Sequence, residues 1–378
     1  MSKSEEDNNE EQFDYHLEQF LEMMVRNSAS DLILKSGSPA SFRIEGKIHK
    51  ANMPPFSDKD MLKLARDFLT GEEVEELLSG QEYDGSYVLD NGERFRVNAF
   101  LQRNSITLVF RYIKSEIESF SELNLPSAIE KIPEFDRGLV LVTGTTSSGK
   151  TTTLSSIVEY INQNQAKHVI TIEDPIEFVY EDKKSVITQR EIGTDTESYA
   201  SALKFVLRQD PDVILIGEMR DQETVEAALE AAETGHLVFS TLHTSTVPQT
   251  LDRILDFYPD ESRNQVLALL SEYLMAVCGQ RLLDRDDRDG MVPAVELMFN
   301  NALIKNLIAD YELDSLRSAI HQGENEGMQT YDQAIVKLYK DGYISDDEAR
   351  SHCSKPTNWS KYKSGHFPDV DTGILGGV

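Results

Sequence analysis

The spacing of apolar residues changes several times along the first third of the chain, and each change marks an element. Phe13, Leu17, Phe20, Leu21 and Met24 recur at helical intervals, which predicts an amphipathic helix over residues 13–25. Residues 31–34 and 41–48 then alternate apolar and polar around a Gly/Ser/Pro turn, the signature of antiparallel strands. A helical segment is expected over residues 59–78. Further strands are expected at 86–89, 94–100 and 106–112, with Asn91 and Gly92 forming a hairpin turn between the first two. Residues 13–113 therefore read as a small α+β domain.

Residues 114–136, with two prolines and several Ser and Glu, read as a linker. Beyond it the pattern is different. Unbroken apolar runs at 138–143, 168–172, 212–217 and 236–241 are separated in several places by helical stretches such as 152–163 and 223–234. Continuous apolar strands interleaved with helices predict a parallel sheet covered on both faces. From about Arg263 the chain reads as mostly helical to near His352. This second domain is assigned to residues 137–353. Residues 1–12 are polar and acidic and read as a mobile tail, and 354–378, rich in Lys, Ser, Pro and Gly, as a flexible one.

Composition narrows the function classes. In 378 residues there are 37 Lys+Arg against 66 Asp+Glu, a formal net charge of −29. Such a field repels polyanions and anionic lipid, so nucleic acid is not expected as a partner. At 39% hydrophobic and 27% charged, the chain can still bury sizeable cores. Cys278 and Cys353 are too few and too far apart for a disulfide framework or a four-cysteine zinc site, which suits a reducing cytosol. The acidic start is unlike a signal peptide, and no window nears the ~18–20 apolar residues of a membrane span. A soluble protein with no direct membrane insertion is expected.

The sharpest chemical signal is Gly144-Thr145-Thr146-Ser147-Ser148-Gly149-Lys150-Thr151, with Thr152 continuing into the predicted helix. A G-x-x-x-x-G-K-[ST] loop between a strand and a helix wraps phosphate in backbone N–H groups. Lys150 reaches the β/γ oxygens, and Thr151 offers a hydroxyl to Mg²⁺. A second signal is Ile172-Glu173-Asp174-Pro175-Ile176-Glu177 at a strand end. These carboxylates either line the rim where open α/β sheets bind ligands or are a solvated strand end. A third is the apolar strand ending in Gly217 and Glu218, with Glu218 placed to orient a water or the Mg²⁺ shell. The fourth is the 235–244 run with His236 and His243, where a histidine either senses the γ-phosphate or is structural. Four polar strand ends in one predicted sheet argue against coincidence.

In this order and spacing the four segments resemble the Walker A, Asp-box, Walker B and His-box motifs of the secretion ATPase superfamily, which includes the type II secretion (GspE) and VirB-type motors. Within it the chain resembles the type IV pilus retraction ATPases of PilT/PilU type, over about residues 13–350. Further markers are Ser30-Asp31-Leu32, Arg94-Phe95-Arg96-Val97-Asn98, the 186–193 run Val-Ile-Thr-Gln-Arg-Glu-Ile-Gly, Gly217-Glu218-Met219-Arg220-Asp221, Glu233-Thr234-Gly235-His236-Leu237 and Gly327-Met328-Gln329-Thr330-Tyr331-Asp332. The resemblance implies an α/β fold with a RecA-like P-loop ATPase domain, a small N-terminal α+β (PAS-like) domain and a helical C-terminal part.

It also implies roles. Lys150 and Thr151 bind phosphate and Mg²⁺ of ATP, Glu177 or Glu173 activates the attacking water, and Glu218 supports the metal. His236 and His243 form the His box, and Arg96 and Arg111 close over the triphosphate. A hexameric, cytoplasmic motor peripheral to the inner membrane is implied, acting on the pilus platform protein there. Assembly motors of the family usually carry an extra N-terminal domain and a four-cysteine zinc element; neither is expected from this sequence, which favours retraction over assembly. Two departures from the retraction pattern stand out. Ser147 occupies a position where the family often has Gly, a strained place for Ser if φ is positive. Residues 303–310 end in Ala309 and Asp310 where the principal motor has Arg and Glu. The first puts the turnover rate in doubt while nucleotide binding should survive; the second favours a PilU-like accessory motor, with a possible partner retraction ATPase, over the principal PilT-like motor. A weakly hydrolysing regulatory partner is the third reading.

Overall fold

The computed structural model describes residues 15–44, 46–113, 117–368 and 370. The chain divides into two compact units, residues 1–115 and 116–378. The expected tail over 1–12 lies outside the described residues, as does the start of the first predicted helix.

The first unit is α+β. Helix α1 (Leu17–Arg26) buries Leu17, Phe20, Leu21 and Met24, the stripe read from the sequence. Strands β1 (Asp31–Lys35), β2 (Ser41–Ile44), β3 (Lys47–Lys50), β4 (Tyr83–Val88), β5 (Arg94–Gln102) and β6 (Ser105–Ile113) form a sheet in the order β3-β2-β1-β6-β5-β4. Alternate residues of β5 and β6 (Phe95, Val97, Ala99; Leu108, Phe110) face the core with Leu32 and Leu34. The single helix expected over 59–78 is two, α2 (Asp58–Arg66) and α3 (Gly71–Ser79). Thr70 causes the break. Its hydroxyl caps the Glu73 N–H while the Glu73 carboxylate accepts the Thr70 N–H, a reciprocal box that starts a new helix.

The second unit is built on β7 (Gly138–Thr143), α4 (Lys150–Asn164), β8 (His168–Glu173), β9 (Val186–Glu191), α5 (Tyr199–Val206), β10 (Val213–Ile216), α6 (Gln222–Glu233) and β11 (Leu237–Leu242). Helices α7 (Val247–Leu255) and α8 (Asp260–Tyr273) follow, then β12 (Leu274–Asp284) and β13 (Met291–Phe299). The sheet order is β13-β12-β7-β11-β10-β8-β9, with every neighbouring pair parallel except β12–β13. All six residues of β7 and of β11 are buried, as strands covered on both faces must be. Because β7, β8, β10 and β11 run the same way, their C-terminal ends lie along one edge. The first three polar segments and the His243 end of the fourth sit there.

The region after Arg263 is only partly helical. Helices α9 (Ala302–Ala309), α10 (Leu316–Gln322), α11 (Tyr331–Lys340), α12 (Asp346–His352) and α13 (Trp359–Lys363) agree with a helical C-terminal part, but the β12–β13 hairpin precedes them. Helix α8 runs into β12 with no Gly or Pro between, so the apolar run carried no boundary signal. The described part of the expected linker is also folded. Residues 127–134 form a 3₁₀ helix, and Ile129 and Ile132 are fully buried in the core of this unit. The expected flexible tail over 354–378 is corrected as far as residue 370. Trp359, Tyr362, Phe367 and Val370 join a cluster with Ile335 and Ile344, and Trp359 Nε1 donates to Asp346 Oδ1 at 3.0 Å. Four widely spaced apolar anchors in a polar stretch suffice to order it. Residues 369 and 371–378 lie outside the description.

Candidate functional site

Between β7 and α4 the chain turns through residues 144–149, and glycine is required at two of them by the strand behind. A Cβ on Gly144 would lie 2.5 Å from the Gln280 carbonyl oxygen and 2.3 Å from Ser148 Oγ. A Cβ on Gly149 would lie 2.7 Å from Gln280 Nε2, and Gly149 also has φ +84°. Ser147 stands at φ +62°, the left-handed region that makes a serine there strained. Helix α4 begins at Lys150, so its first-turn N–H groups have no preceding helical carbonyl and face the loop. The Lys150 ammonium donates to the carbonyls of Gly144 and Thr145, both at 3.1 Å. Burial lowers its pKa, while the carboxylates of Glu218 and Glu177 act the other way.

A cavity of about 240 Å³ opens beside this loop. Thr146, Ser147, Lys150 and Thr151 line one side. Glu173, Asp174 and Glu177 enter from the end of β8, Glu218 and Arg220 from the end of β10, and Thr241 and His243 from the end of β11. His243 Nε2 lies 3.3 Å from Glu218 Oε1, and Arg220 Nε donates to Glu218 Oε2 at 2.9 Å. Arg220 also approaches Asp174 at 3.6 Å, so it neutralises two of the carboxylates. Its guanidinium is held above its ordinary pKa by the Glu218 hydrogen bond.

The two glutamates of the β8 end differ in environment. Glu173 is buried, and burial raises its pKa. Its Oε1 accepts from Thr171 Oγ1 at 2.6 Å and from Gln189 Nε2 at 3.3 Å, and the Glu177 N–H also points at its carboxylate. Glu177 is exposed on the cavity wall. Glu173 is thus engaged as an anchor, whereas Glu177 has its carboxylate open to the cavity.

Not every expected residue gathers here. Gly144, Thr145, Ser148, Gly149 and Thr152 build the loop and the helix start without lining the cavity. His236 precedes β11 at its other end, roughly 20 Å from His243 at the usual rise of a strand. There its Nδ1 lies 3.0 Å from the Ala231 carbonyl. The sheet therefore holds His236 and His243 at opposite ends of β11. Arg96 and Arg111 belong to the first unit and are directly opposed on β5 and β6. Arg96 forms a two-pronged pair with Asp84 (3.2 and 2.7 Å), and Arg111 Nε donates to Asp31 Oδ1 at 2.9 Å.

Sequence reasoning gave no role to Arg220, Tyr199, Gln189 or Gln280. Arg220 lay within a motif already noted, so its place at a strand end was readable. Tyr199 lines the cavity from α5, and its burial pushes the phenol's pKa up. No sequence pattern marks it. Gln280 lies on a strand that was not foreseen.

The donor set suits a nucleotide carried on Mg²⁺. Loop amides and one lysine match phosphate, and Thr151 with Glu218 offers the hard oxygens Mg²⁺ takes alongside water and phosphate. Among the described residues no three His, Cys, Asp or Glu side chains group to hold a metal unaided. Nor, among the described residues, is any helix long and apolar enough to cross a membrane.

Known proteins place this geometry. A family model for type II/IV secretion system proteins matches residues 6–328. The type IV pilus retraction ATPase PilT of Pseudomonas aeruginosa is 41% identical over 341 residues, 90% of this chain and 99% of its own. The type IV pilus ATPase PilU of the same organism is 37% identical over 335 residues, covering 89% and 88%. A crystal structure of the pilus retraction motor PilT with bound ADP superposes with a TM-score of 0.86 at 40% identity, covering 92% of this chain and all of that one. With a phosphate loop backed by β12 and three acidic or basic strand ends converging on it, the chain belongs to the type II/IV secretion system protein family and is, like its type IV pilus members, an ATPase.

Proposed function

We propose that this ATPase powers the retraction of type IV pili, with ATP and Mg²⁺ as its working pair and a homo-hexameric ring as its working form. The observation that carries the reading is the meeting of Lys150, Thr151, Glu177, Glu218 and His243 in one cavity at the ends of four strands. Mg²⁺, when bound, supplies charge neutralisation to the β- and γ-phosphates. Lys150 and the loop amides hold those phosphates. Glu177, exposed to the cavity, takes a proton from the attacking water, and Glu173 anchors its backbone rather than acting as base. Glu218, gripped by Arg220 and 3.3 Å from His243, orients the metal's shell. Arg96 and Arg111 are assigned to the charge that develops on the transferring phosphoryl group, a role that rests on the resemblance. His236 serves the fold at the opposite strand end.

The motor would work in the cytoplasm against the inner-membrane pilus platform, through protein contacts that its strong acidity favours with basic partner surfaces. Ala309 and Asp310 are exposed at the end of α9, so their departure from the principal motor's pattern alters surface charge and leaves the ATP cavity as it is. That supports an accessory, PilU-like role beside a second retraction ATPase. The principal-motor reading is favoured instead by the slightly greater identity to PilT than to PilU, 41% against 37%. Deleting the gene and recording pilus retraction and twitching tests the assignment. Loss or weakening restored by the wild-type gene, and not by a Glu177→Gln copy, supports it. Unchanged retraction sinks it. An accessory motor further requires a second ATPase for any retraction at all.

A further inference from the structure

The segment that carries Glu177, residues 174–180, has no regular secondary structure of its own, yet a base must be held in place to work. Its backbone is fastened to the neighbouring edge strand. Gln189 on β9 donates from Nε2 to the Phe178 carbonyl at 2.8 Å and accepts the Tyr180 N–H at its Oε1 at 3.0 Å. Glu191, two residues on, accepts the Ile176 N–H at Oε2 at 3.2 Å. Residues two apart on a strand face the same way, so both side chains meet the same segment. Their contacts bracket Glu177 at positions 176 and 178. Gln189 also reaches the Glu173 carboxylate, toward which the Glu177 N–H points.

We infer that β9 is a template for the catalytic loop, and that Gln189 and Glu191 are positioning residues that set the place of the Glu177 carboxylate. This rests on the reading of Glu177 as the base. The phosphate loop hangs from β7 and β12, on the far side of β10 and β11 from β9, so nucleotide binding and base placement have separate supports. Removing the template should therefore act on turnover and leave affinity nearly intact. A displacement of about 1 Å in such a group can cost a factor of 10² in rate.

The experiment uses the full chain and compares steady-state ATP hydrolysis with binding of a fluorescent ADP analogue. Gln189→Met keeps the side chain's length and removes its donor and acceptor. The expected result is kcat lowered at least tenfold with KM for ATP and analogue affinity within threefold. Wild-type kcat, or a change confined to KM, overturns the inference. If Gln189→Met fails to fold, the Glu191 pair decides. Glu191→Gln keeps an acceptor for the Ile176 N–H and should retain more activity than Glu191→Leu, and equal activity in the two overturns it. Combining Gln189→Met with Glu177→Gln should give the kcat of Glu177→Gln alone, because a residue acting through Glu177 adds nothing once the base is gone. Independent, multiplying losses contradict the template. A Glu177→Gln enzyme with wild-type turnover removes the base reading itself. An inactive Glu177→Gln beside an unimpaired Gln189→Met removes only the template.

Discussion

Gln280 Oε1 accepts the hydroxyl proton of Thr153 at 2.7 Å, which ties strand β12 to the first turn of the phosphate-loop helix. The same glutamine lies against Gly149 on its amide side and against Gly144 through its carbonyl. One buried residue thereby fixes the helix and both glycines of the loop.

That relationship predicts the effect of two substitutions. Thr153→Val leaves the Gln280 oxygen unpaired in the core and should cost about 1–3 kcal/mol of stability, read from denaturant unfolding. Gly149→Ala adds a Cβ 2.7 Å from Gln280 Nε2 at a positive φ, and should weaken ADP binding at least tenfold. Undisturbed affinity in Gly149→Ala would show that the clamp does not shape the loop.

Ser147 at φ +62° gives a second prediction. A single left-handed residue other than glycine costs about 1 kcal/mol, partly offset by glycine's greater freedom in the unfolded chain. Ser147→Gly should therefore raise stability by about 0.5 kcal/mol without loss of nucleotide affinity. A clear destabilisation in chemical unfolding would mean that the serine hydroxyl has a role at that turn.

The two histidines of one motif should separate in function. His243→Ala removes the group 3.3 Å from Glu218 and should lower kcat about tenfold or more. His236→Ala acts at the opposite end of β11 and should change ADP affinity by less than a factor of two. Equal losses of kcat in the two variants would contradict their placement.

Glu296 on β13 is fully buried, and burial pushes its pKa up to about 7. It accepts the Val247 N–H at 2.8 Å, with Arg281 and Arg317 favouring its charge and Asp332 opposing it. Since its pKa is higher folded than unfolded, its contribution is fullest below about pH 4.5 and is lost as pH rises to about 7. The span amounts to about 3 kcal/mol. Unfolding measured from pH 5 to 8 should show a fall in stability that Glu296→Gln flattens. An unaltered slope in Glu296→Gln would assign the pH dependence elsewhere.

Much of the site was legible because its chemistry is written locally. The Gly144–Lys150 spacing specifies a loop, and unbroken apolar runs specify strands whose ends must meet at one sheet edge. His236 and His243 were grouped although seven positions span a whole strand, and that span already implied opposite ends. The β12–β13 hairpin was hidden because α8 leads into β12 with no breaking residue, so its apolar run read as more helix. Gln280 and Gln189 were invisible for a different reason. Their roles come from partners 127 and 11 residues away, Thr153 on α4 and Phe178 in the segment after β8, and nothing in their own surroundings marks a contact made by tertiary pairing. In the C-terminal stretch, polar composition outweighed the spacing of Trp359, Tyr362 and Phe367, which pack together.

The central claim is that this cavity hydrolyses ATP, and Lys150 is its most exposed point to challenge. Purified wild-type chain and Lys150→Ala should be compared for phosphate release from Mg-ATP at equal concentration. Loss of the only side-chain cation on the loop should lower the rate at least a hundredfold in the variant while it stays folded. Equal rates in the two proteins would contradict the account.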